Sequence, residues 1–169
     1  FGEGDYDASE AMSNILTQLA TSTDPGKNVG HAVLYEAAVT IMSIQSDEAL
    51  QTMAVNILGR LLSTTSTTAE NNLRYVSLNL LNRIISAGQH GLAAVQRHRG
   101  VILDCLHDPD TSIRKRAVGP AIALCSSDTV KSISGELLDL LDQLSDSVPE
   151  EAELKDTIIT RLSIVVAQY

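Results

Sequence analysis

Apolar residues recur three and four positions apart along almost the whole chain, which is the spacing of one face of an α-helix. Met12, Ile15, Leu16 and Leu19 mark the first such face, and Asp7 with Glu10 reads as a capping box at its start. Asp24, Pro25 and Gly26 then end it. A second stripe runs Val29, Val33, Ala37, Ile41 and Ile44, and a third runs Leu50, Met53, Ala54, Ile57, Leu58 and Leu61 behind Ser46 as cap. Leu73, Val76, Leu80, Leu81, Ile84 and Ile85 make a fourth, with Gly88 where a C-terminal cap belongs. Beyond a short segment around Gly91, the pattern predicts helices over 96–106, 111–125, 128–144 and 150–167. Asp110 and Asp128 are the expected N-caps there, and Pro149-Glu150-Glu151 a first turn.

The polar, β-branched run STTSTTA interrupts the periodicity and predicts an exposed loop over 63–70, and residues 1–6 read as a disordered or cut N-terminal end. Nowhere does a stretch alternate with period two between hairpin signals. The expectation is an all-α chain of about eight helices in antiparallel pairs, forming one helical-repeat segment over 1–169. A repeat supports this. ENNLRYVS at 70–77 and DTSIRKRA at 110–117 share an acid, an aliphatic, an arginine and a small residue in register, and DEALQTMA at 47–54 is a looser copy without the arginine. A period of forty suits armadillo- and HEAT-type solenoids, α-helical pairs stacked one on the next.

Composition narrows the picture. Apolar residues make up 44% but aromatics only 3%, so the core must be aliphatic. The net charge of −9 argues against nucleic-acid binding, which needs a basic surplus. The two cysteines, twenty positions apart and without metal spacing, suit a reducing compartment, and no apolar run reaches the ~18 residues of a membrane span. A soluble, cytosolic protein is expected. Charge is uneven, at −7 over residues 1–50, +4 over 51–120 and −6 over 121–169.

Catalytic and metal motifs fail on spacing. PGKNVG at 25–30 has Asn28 where a phosphate-binding loop needs Ser or Thr, and Thr21 where it needs Gly, so it reads as a turn between helices. DYDASE at 5–10 puts Glu10 at the obligatory glycine of a calcium loop. His31, His90, His98 and His107 share no helix face as a ligand pair, and a surface role suits most of them. Cys105 and Cys125 sit in apolar runs as small core residues. No enzyme activity, cofactor or metal is expected. The basic cluster Arg97, His98, Arg99, Arg114, Lys115 and Arg116 is the candidate interaction patch. It could serve an acidic protein or a phosphoinositide head group, or be neutralised internally by Asp104, Asp108, Asp110 or acids of the following repeats.

VQRHRGVILDCLHDPDTSIRKRA at 95–117 resembles the trunk of gamma-type adaptins, large subunits of the clathrin adaptor complex of the trans-Golgi network and endosomes. SEAMSNILTQLATSTDPGKNVGHAVLYE at 9–36, AVNILGRLL at 54–62 and NLRYVSLNLL at 72–81 resemble it too, and QRHR favours the gamma type. The resemblance covers most of residues 9–145 and fades afterwards. It implies an α-solenoid within a longer chain. It also implies beta-type large, medium and small adaptor subunits and an Arf-type small GTPase as partners, with clathrin bound only through regions outside this chain. A cytoplasmic location follows, peripheral on trans-Golgi network, endosome and clathrin-coated vesicle membranes. Three features depart from the family pattern: the long STTSTTA loop, the extended AGQHGLAAV at 87–95, and Gly119-Pro120 inside a helix. The proline predicts a kink or break near Val118–Pro120, at a cost of roughly 3 kcal/mol if the helix stays straight. The competing reading is a generic HEAT- or armadillo-type scaffold of nuclear transport or of a phosphatase.

Overall fold

Helix-start chemistry fixes where the elements begin. Asp5 accepts a hydrogen bond from the Ala8 amide and caps α1 (Tyr6–Ser22), so the cap lies two residues before the expected Asp7. Asp47 Oδ1 takes the Leu50 amide at 2.7 Å and caps α3 (Glu48–Leu62). Ser46, the expected cap, instead turns its hydroxyl back onto the Ile41 carbonyl at the end of α2 (Asn28–Ile41). Asp110 caps α7 (Thr111–Ala123) as expected, while Thr129 rather than Asp128 precedes α8 (Val130–Gln143). α9 (Pro149–Gln168) opens on its proline and two glutamates, which suit the positive end of the helix dipole.

The computed structural model describes residues 4–24, 28–44, 46–63 and 68–168. Residues 1–3, residues 25–27 of the PGKNVG turn and residues 64–67 of the STTSTTA stretch lie outside the described residues. Among the described residues the chain is all-α, with nine α-helices and one 3-10 turn (Cys105–His107). α4 (Thr68–Ala87) takes in the last positions of the 63–70 stretch. The ninth helix is α5 (Gln89–Gln96), in the segment expected to be irregular, and α6 (Arg99–Asp104) with the 3-10 turn fills the place of the helix expected over 96–106.

Two compact units divide the chain, Phe1–His98 and Arg99–Tyr169. In the first, α1 to α5 each touch mainly the helix one or two places on, as in stacked helix pairs. In the second, α7 packs on α6, the 3-10 turn and α9, while α8 lies against α9 and the 3-10 turn. Both cores are aliphatic, built for example on Ile41, Leu58 and Leu81 in one and Ile113, Leu137 and Ile158 in the other. Some stripes are rotated from expectation. Ile15 and Val29 face outward at 58% and 75% exposure, while Leu34, outside the expected stripe, turns inward, and Leu16 is buried as its stripe implied.

Of the kink or break expected near Val118–Pro120, the break is absent, for α7 runs unbroken to Ala123 with Pro120 buried inside it. A proline's Cδ ordinarily collides with the Cβ of the residue before it. That residue is Gly119, which has none. The repeat also has a structural basis. Ala54, Ser77 and Ala117 each stand seven places after the repeated acid, and all three have no exposed surface.

Candidate interaction surface

Four of the six patch residues belong to the second unit, and two of these are held by α9. The cap at Asp110 and the turn before it place Arg114 one turn into α7. Its guanidinium donates to the Asp108 carbonyl at 3.0 Å, to Thr111 Oγ1 at 2.9 Å and to Glu151 at 3.1 Å. Arg114 and Glu151 are 15% and 21% exposed, so this pair is shielded from solvent. The other oxygen of Glu151 accepts from the Ser145 amide at 2.9 Å, which ties the loop before α9 to the same cluster. Two hydrogen bonds from Ser112 hold the Asp110 carboxyl below its ordinary pKa. Lys115 pairs with Glu153 at 2.7 Å on the exposed side. Arg99 and Arg116 are half-buried, at the start of α6 and within α7.

Arg97 and His98 close the first unit. The His98 ring stands directly over Gly59 of α3, where a Cβ would occupy the ring's own space. Its Nε2 donates to Asn56 Oδ1 at 3.0 Å. Burial, and secondarily the neighbouring Arg97 charge, lower the His98 pKa below 6.5. Arg97 is exposed and has no ion pair among the described residues.

A groove of about 480 Å³ runs beside Arg97. α5 makes its wall, because only Gly88 separates it from α4. Gly88 has φ +149, and a Cβ on Gly91 would strike the Ile84 carbonyl. Val55 and Ile84 lie buried at the floor. His90 reaches across to Glu48 at 3.3 Å, with both side chains about three-quarters exposed. No stripe or motif announced this groove, since its residues come from separate helices.

Of the remaining histidines, His31 is buried, against the surface role suggested for most, and His107 pairs with Glu136 at 2.8 Å. Cys105 is buried and Cys125 half-buried, with burial raising the Cys125 thiol pKa. Among the described residues no three His, Cys, Asp or Glu side chains group as a metal site, and no helix is long and apolar enough to cross a membrane.

Residues 2–169 match the family described as the adaptin N terminal region. The chain belongs to the adaptin family. The match includes the last helix, beyond the point where the sequence resemblance fades. The AP-1 complex subunit gamma of Dictyostelium discoideum is 42% identical over 99% of this chain, and the AP-1 complex subunit gamma-1 of Arabidopsis thaliana 45% identical over 99%. That of Mycosarcoma maydis is 46% identical over 83%. The chain spans 17%, 18% and 15% of these relatives' own lengths. Adaptins are structural adaptor subunits rather than enzymes.

Proposed function

We propose that the chain is a non-catalytic scaffold segment of a clathrin adaptor large subunit, acting in vesicle-mediated intracellular protein transport. The observation that carries this reading is the near-complete match to the adaptin N terminal region, together with 42–45% identity to gamma subunits of AP-1 complexes over 99% of the chain. Both units are stretches of one helical-repeat segment, which presents side chains rather than chemistry. Its partners are beta-type large, medium and small adaptor subunits and an Arf-type GTPase. Through them it is held in the cytoplasm, peripherally on trans-Golgi network, endosome and coated-vesicle membranes.

Within this reading the basic residues Arg97, His98, Arg99, Arg114, Lys115 and Arg116 have different tasks. Arg114 and Lys115 are committed to α9. Arg97, exposed and without an ion pair, is the cation best placed for an acidic partner.

Immobilised chain should enrich adaptor small, medium and beta-type subunits from cytosol, read by mass spectrometry. Enrichment of nuclear-transport or phosphatase subunits instead would replace this reading with that of a generic helical-repeat scaffold. Charge reversal at Arg97 is expected to weaken capture; unchanged capture removes it from the binding surface. Circular dichroism on the same variant checks that the helices persist.

A further inference from the structure

We infer that the groove between α3 and α5 docks an extended segment of a partner protein, a few residues long, with small apolar side chains and an acidic residue at one end. The inference deepens the scaffold reading by giving the first unit a partner of defined chemistry.

The groove is built along one face of α5. His90, Ala93 and Ala94, and Arg97 fall at i, i+3, i+4 and i+7, so they line up over two turns, and all four border the groove. At 1.5 Å per residue, His90 and Arg97 stand about 10 Å apart along that face, the length of about three residues of extended chain. The floor between them is apolar, supplied by Val55, Ile84 and the alanines. Side chains of alternate residues of an extended segment can point into it.

Charge sets the direction. At the His90 end, the Glu48 carboxylate already stands 3.3 Å from the ring, so that end offers an acid rather than a cation. At the other end Arg97 has no acid of its own among the described residues, and the half-buried His98 next to it adds none. An arginine fork beside an apolar floor recognises a carboxylate by two parallel hydrogen bonds, which a lysine-bearing segment cannot supply. Gln51, Thr52 and Gln89 offer neutral polar groups to the segment's backbone.

The test uses the 169-residue chain and fluorescein-labelled, end-blocked Val-Ser-Val-Asp-Asp, with Val-Ser-Val-Lys-Lys as counterpart, read by fluorescence anisotropy. The acidic peptide is expected to bind about tenfold more tightly than the basic one, with the difference shrinking as salt rises. Arg97→Glu should invert the preference, and Arg97→Gln should abolish it. Ala93→Trp, which places an indole over the groove from an exposed position, should weaken both peptides, with circular dichroism reporting that α5 persists. Equal binding of the two peptides, no binding of either, or a preference that survives Arg97→Glu would overturn the inference. Capture of adaptor subunits from cytosol is a separate readout, so the groove can fail while the scaffold reading stands, and the reverse.

Discussion

His98 is the residue whose setting has the clearest energetic consequence. Its ring lies where any side chain on Gly59 would stand, and its Nε2 is bonded to Asn56 one turn earlier on the same helix. Gly59→Ala must therefore displace the ring, with an expected loss of about 1–3 kcal/mol in denaturant melts, although an alanine in an open helix would add stability. The folded state holds the His98 pKa below the 6.5 of the unfolded chain. Above 6.5 both states are neutral and the contribution is complete. As pH falls below 6.5 the unfolded chain takes up the proton first, and stability declines until the folded pKa is passed. Melting temperatures taken from pH 7.5 to 5 should fall, and His98→Gln should flatten that part of the profile. Asp110 acts in a separate window, because its depressed pKa gives stability that disappears only below about its ordinary 3.8. The sequence displayed His98 as part of a basic string and Gly59 as an isolated glycine in an apolar helix. Their meeting is a tertiary contact across 39 positions, which no local pattern encodes.

Elements were legible where amphipathic spacing was long and caps were acidic. α7 and α9 lie close to their expected spans because an aspartate or a proline announces each start, whereas α3 is legible from its apolar stripe, its cap being Asp47 rather than the expected Ser46. α5 escaped because it is short and rich in glycine and alanine, so it has little apolar stripe to read. α7 escaped differently. Proline argues for a break through its missing amide and its collision with the carbonyl one turn back, yet the helix is continuous; the glycine before it removes one further collision, that with a preceding Cβ. Gly119→Val is thus expected to destabilise α7 by about 1–2 kcal/mol, seen as lost helical ellipticity and a lower melting temperature. The same helix separates two kinds of ion pair. Arg114→Ala removes a shielded fork bonded to Glu151, the 108 carbonyl and Thr111, and should cost about 2 kcal/mol in urea melts. Lys115→Ala removes an exposed pair and should cost less than about 0.5 kcal/mol.

At the scale of the whole chain, the net charge of −9 and the exposed apolar side chains act in opposite directions on association. Leu138, Ile159 and Val166 are 54%, 51% and 70% exposed and border a groove of about 380 Å³ on α8 and α9. Like charges hold copies apart at low salt, and screening shortens that repulsion from about 10 Å at 0.1 M to about 3 Å at 1 M. Sedimentation velocity should therefore show association increasing with salt, and Leu138→Glu with Ile159→Glu should suppress it. The family itself was legible, because strings such as QRHR and NLRYVSLNLL lie in adaptin order. The buried small residues Ala54, Ser77 and Ala117 bear on how such a chain can diverge. A surface cation can be exchanged with little loss, but a methyl group or two added at these three places has nowhere to go. In a saturation mutagenesis library scored for folding, they should admit only glycine, alanine, serine or cysteine, so that three fully buried small positions limit how far the sequence can drift.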